Sequence, residues 1–75
     1  MFGGISDCLY STLVNLRPGW YIVVNNATNS PVPGQYGNAF IAPMKASNRV
    51  FAVAAFDDGS VWFMYGAGTT HWVRV

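Results

Sequence analysis

Charge is what this sequence has least of. Asp, Glu, Lys and Arg make up 9% of its 75 residues, against about 25% in an ordinary soluble domain. Four cations, three anions and one histidine must cover whatever surface the fold leaves wet. The cations Arg17, Lys45, Arg49 and Arg74 are scattered, which excludes the basic stripe that nucleic acid requires. Cysteine is scarcer still. Cys8 stands alone, so no disulfide forms within the chain, and the expected state is a small buried thiol in a protein made in a reducing cytosol. Long apolar runs are missing as well. A spanning helix needs roughly 20 such residues, and the longest run, Val50 to Phe56, has seven. The opening Met1-Phe2-Gly3-Gly4 lacks the basic region of a secretory signal.

What the chain does have is apolar bulk: 52% hydrophobic residues and 16% aromatic. Its length allows one domain, 1–75, which divides into an N-terminal segment, 1–16, and a module, 17–75. A chain this short buries only roughly 60% of the surface its unfolded form exposes. With no disulfide to staple it, stability must come from packing or from association.

Turn signals divide the module. Pro18-Gly19 closes the first segment, Asn25 to Gln35 reads as a long loop, and Pro43 to Asn48 is a second break. Asp57-Asp58-Gly59 reads as a tight hairpin turn, with Gly59 taking positive φ. Gly66 to Thr70 is the last loop. Between these lie short runs rich in Val, Ile, Phe, Trp and Tyr: Gly19–Asn25, Tyr36–Ala42, Arg49–Phe56, Ser60–Tyr65 and His71–Val75. The expected fold is all-β, a small antiparallel sheet or sandwich of about five strands. In Ser6–Leu16 the spacing of Ile5, Leu9, Leu13 and Leu16 predicts a turn of helix, against the poor propensity of Ser11 and Thr12.

A strand with one wet face alternates apolar and polar residues. Trp20 to Val24, Val50 to Phe56 and Val61 to Tyr65 do not. A single core cannot bury both faces of three strands, so the second face is expected to meet another copy of the chain. The expected oligomer interface is Val50, Phe51, Val53 and Phe56.

Reactive constellations are absent from the pattern. Asp57 and Asp58 are adjacent and read as turn residues, and neighbours on a strand point to opposite faces. His71 has no Cys or carboxylate at metal-ligand spacing. Neither Gly3-Gly4 nor Gly66-Ala67-Gly68 opens a helix, as a phosphate loop does. No enzyme, metal or cofactor is expected. The aromatics point to binding instead. A ring can stack on the apolar face of a pyranose while amides and carboxylates take its hydroxyls. The candidate ligand-binding residues are Tyr36, Asn38, Asp58, Trp62, Tyr65 and His71. The plain alternative is that these aromatics serve the core.

Several short motifs then fall in a familiar order. Gly19-Trp20-Tyr21 opens a strand, Thr28-Asn29-Ser30-Pro31 follows, then Tyr36-Gly37, the aromatic hairpin strand Val61 to Tyr65, and a terminal His71-Trp72-Val73-Arg74-Val75. In this the run from Leu16 to Val75 resembles the pyocin-knob type of β domain found near the C-termini of phage tail fibres. It departs from that type in carrying one terminal tryptophan, Trp72, where the family has a doubled motif; Thr69 or Thr70 occupies the other place. The resemblance implies a homotrimer in a virion tail, made in the host cytoplasm, whose partners are copies of itself, a longer fibre or tailspike chain, and a bacterial surface polysaccharide. Purely structural trimerisation or capping is the alternative. Neither nucleic acid nor membrane insertion is expected.

Overall fold

A computed structural model describes residues 3–67 and 71–75 of the chain. It consists mostly of one mixed sheet whose six strands lie side by side in chain order: β1 (Gly4–Asp7), β2 (Gly19–Thr28), β3 (Gly37–Met44), β4 (Arg49–Phe56), β5 (Val61–Ala67) and β6 (Trp72–Arg74). From β2 onward every pairing is antiparallel. Such a meander needs only hairpin connections, and the sequence supplies them. At Asp57-Asp58-Gly59 the chain reverses with Gly59 at φ 87°. The Gly59 N–H donates to the Phe56 carbonyl at 2.9 Å, and the Phe56 N–H donates to the Ser60 carbonyl at 2.9 Å. Between β3 and β4 a 3-10 turn, Lys45–Ser47, ends at Asn48 in the left-handed region, φ 55°.

The N-terminal segment holds the expected turn of helix and, in addition, a strand that the sequence reading did not place. Gly4–Asp7 forms an edge strand, paired parallel to β2 with Ile5 opposite Val23. Helix is confined to one turn, α1 (Tyr10–Leu13). The helical spacing of Ile5 and Leu13 is real, but Ile5 reaches the core from a strand and Leu13 from a turn. The Asp7 carboxylate fixes the change of direction. It accepts the Leu9 N–H at 3.0 Å, the Asn29 amide at 3.1 Å and the Thr12 hydroxyl at 3.3 Å. The sheet thus has six strands rather than about five. Its second strand also runs through Asn25–Thr28, because Asp7 of β1 continues to pair there, opposite Thr28. Pro43 sits inside β3, opposite Val50. Beyond Ile41, β3 has lost β2 and borders β4 alone, which makes it an edge where proline is tolerated.

One face of the sheet is the core. Tyr21, Val23, Ala39, Ile41, Val50, Ala52, Ala54, Phe56 and Met64 are buried there, beneath Cys8 and Leu13 from the crossover between β1 and β2. The Tyr21 hydroxyl donates to the Arg17 carbonyl at 2.6 Å, and the Tyr10 hydroxyl donates to the Asn48 carbonyl. These two bonds tie the crossover down over the sheet. Gly37 lets the core close at its end. A Cβ there would stand 2.7 Å from the Phe56 ring, so only glycine admits that ring at its present depth.

Candidate functional site: an open sheet face

Strand residues alternate between faces, and the register shows what lies opposite the core. Trp20, Phe40, Val53, Phe63 and Val73 form one continuous row across β2 to β6. Ile22, Asn38, Ala55 and Val61 form the next row, and Ala42, Phe51 and Tyr65 a third. No residue in these rows carries a charge. Trp20 keeps 53% of its surface exposed and Tyr65 50%. Trp20 meets Phe40 edge-on at 5.4 Å between centroids, and Phe51 tilts against Phe63 at 5.7 Å. The aromatics therefore pack against one another laterally while their outer sides face solvent. Charge begins only at the borders. Arg49 donates from Nη1 to the Tyr65 hydroxyl at 2.9 Å and holds its guanidinium 5.8 Å from the ring centroid.

At one end of this face lies a depression of about 530 Å³ lined by Ile22, Tyr36, Gly37, Asn38, Ala55, Phe56 and Asp57. It lies where β3 begins and β4 ends, beside the small side chain of Ala55. The Asp57 N–H donates to the Tyr36 carbonyl at 2.9 Å, fixing the rim. Of the ligand-binding candidates, Tyr36 and Asn38 come together here, and Asp57 rather than Asp58 is the acidic residue of the lining.

The other candidates lie elsewhere. The Asp58 carboxylate is spent on its own turn, accepting the Ser60 N–H at 3.0 Å and the Ser60 hydroxyl at 2.5 Å. Those bonds to Ser60 hold its pKa below the usual carboxylate value. Trp62 lies on the core side, opposite Ala54, and its indole N–H donates to the Ser60 hydroxyl at 3.0 Å. Tyr65 is on the open face but borders Arg49, away from the depression. His71 is exposed just before β6. The interface candidates divide by parity. Phe51 and Val53 look outward, whereas Val50 and Phe56 are buried in the chain's own core and leave the interface set, because a strand sends alternate residues to opposite faces.

Among the described residues no group of three His, Cys, Asp or Glu side chains is placed to hold a metal ion. Cys8 is buried, and burial, with the Asp7 carboxylate adding to it, pushes its thiol up to about 11. A thiol so protonated at neutral pH is a poor nucleophile.

Sequence reasoning missed Trp20, Phe40, Phe63 and Val73 as one surface. Their strands are apolar on both parities, so the sequence carries no alternation to separate these residues from their buried neighbours; the register does. Comparison of the chain with protein-family models, curated proteins and solved structures finds no match. The resemblance to fibre-tip domains rests on its short motifs alone.

Proposed function

We propose that this chain is a non-catalytic β module of phage tail-fibre or tailspike type, which works by assembling with other copies of itself through its open sheet face. The observation that carries this reading is the uncharged row Trp20, Phe40, Val53, Phe63 and Val73 together with its flanking rows. At ordinary strand spacing and rise, the five strands that bear them offer on the order of 450 Å² in projection, before side-chain relief is added. That lies within the range of large apolar patches, about 300–600 Å², which mark interaction sites. The scarcity of charge in the sequence fits the same account, since a covered face has no need of it.

Light scattering over a range of concentrations tests this directly. The expected result is an oligomer of the 8.2 kDa chain that Phe63→Asp dissociates without unfolding. An oligomer unmoved by Phe63→Asp places the interface elsewhere.

A second reading has its own support. Tyr36, Asn38 and Asp57 bring a ring, an amide and a carboxylate to one depression, the set a surface saccharide would meet. Ile22, Asn38 and Ala55 belong to both the depression and the apolar rows, so the two readings compete for the same ground. Bacterial surface polysaccharide that binds the wild type, loses binding in Tyr36→Ala and disperses the oligomer would favour the second.

A further inference from the structure

The chain holds three carboxylates, Asp7, Asp57 and Asp58, and the fold commits two of them. Asp7 accepts from Leu9, Thr12 and Asn29, and Asp58 accepts twice from Ser60. Asp57 is different: its carboxylate takes no hydrogen bond or ion pair from any described residue, and the residue is exposed in the lining of the depression. Its polar neighbours there are uncommitted too. Neither the Tyr36 hydroxyl nor the Asn38 amide is bonded to a described residue, and Tyr36 keeps 49% of its surface exposed. The lining contains no cation to balance Asp57. Arg49 is held against Tyr65, and Arg74 places its charge near Asp58. Ile22 and Phe56 supply an apolar wall.

These groups set the charge of what fits. An acidic ligand would meet a carboxylate of like charge with nothing to offset it. A neutral hydroxyl would gain an ordinary hydrogen bond. An ammonium group would gain a charge-assisted bond to Asp57, about twice as strong as a neutral one, and an exposed tyrosine ring attracts the same cation. We infer that the depression takes a ligand bearing a primary ammonium group on an apolar-faced ring, an amino sugar, with Asp57 as its counter-ion, Asn38 on its hydroxyls and Tyr36 against its ring. This rests on the saccharide reading above and narrows it to basic glycans.

The test is calorimetric titration of the full chain with glucosamine, N-acetylglucosamine and galacturonic acid oligomers of equal length, at a mildly acid pH that keeps the glucosamine amine protonated. The first two share a backbone and differ in the charge on nitrogen. Glucosamine oligomers should bind roughly fivefold more tightly than the acetylated ones at low salt, the combined margin of an exposed ion pair and an exposed cation–π contact. High salt should shrink that margin. Asp57→Asn should abolish it while keeping the far-ultraviolet circular dichroism, and Asp7→Asn, which removes a committed carboxylate, should leave it unchanged. Equal binding of the first two, or tighter binding of galacturonic acid oligomers, overturns the amino-sugar inference and leaves the saccharide reading standing. A margin that survives Asp57→Asn, or falls equally in Asp7→Asn, overturns the assignment to Asp57. No binding of any oligomer overturns this inference and the saccharide reading together.

Discussion

Strand β4 carries two environments in one run of residues. Val50, Ala52, Ala54 and Phe56 are buried, while Phe51, Val53 and Ala55 point to the opposite side and keep contact with solvent. The two sets differ little in chemistry: each mixes alanine, valine and phenylalanine. What separates them is cover. One face lies under the crossover that carries Cys8, α1 and Leu13, and the other is covered by none of the described residues. Hydrophobicity states how much a surface gains from being covered, and topology decides which surface the chain covers itself.

The sharpest way to break this comparison is to place the same charge on each side. Ile41→Asp sets an unpaired carboxylate in the covered core and should abolish folding, since burial of such a group exceeds the stability of a small domain. Val53→Asp on the open face should leave the single chain folded, with its unfolding free energy within about 1 kcal/mol of wild type. Urea denaturation followed by circular dichroism separates the two. A folded Ile41→Asp would mean that the faces are interchangeable.

Next in size is Gly37→Ala. Its new methyl would stand 2.7 Å from the Phe56 ring, so the ring must move out of the core end. A loss of about 1–3 kcal/mol is expected for such overpacking. Phe56→Leu in the same chain should recover part of it, which an equilibrium unfolding cycle would measure.

Smaller again is Gly59→Ala. It puts a side chain at φ 87° in the exposed β4–β5 turn and should cost about 1 kcal/mol. A shift in the unfolding midpoint without change in the denaturant slope is the expected record.

The smallest effect concerns pH. Asp7 and Asp58 are both held below their ordinary carboxylate values, Asp7 chiefly by the Asn29 amide and Asp58 chiefly by Ser60. Their contribution is therefore fully present above the unfolded value of about 3.9 and is lost as pH falls through the lower folded-state values. Both groups are solvent-exposed, so the effect is modest. Unfolding midpoints taken between pH 6 and pH 3 should fall less in Asp7→Asn than in wild type. An equal fall would remove Asp7 from the account.

These contrasts also mark how far the sequence could be read. The bounds of β4 and the turn at Asp57-Asp58-Gly59 were legible because turn residues flank an unbroken apolar run. Which side of β4 is inside was not. Val-Phe-Ala-Val-Ala-Ala-Phe is apolar throughout, so a period of two has no amplitude to detect. Parity was settled by a cover that lies far away in sequence. Strand β1 was hidden for a related reason. Gly4–Asp7 is short, and it becomes a strand by lying parallel to β2, a pairing that no local pattern announces. At the candidate site Tyr36 and Asn38 were within reach because both flank the start of β3. Asp57 was not, since its place on the rim depends on the β4–β5 turn closing beside Tyr36.

One last consequence follows from the order of the sheet, in which each strand lies beside its neighbour in the chain. Every pairing from β2 to β6 joins strands that are consecutive in the chain, which keeps the entropy lost on closing each connection smaller than a crossover would. The meander can form hairpin by hairpin, with β1 and its crossover the one piece that must find its place across the face already assembled.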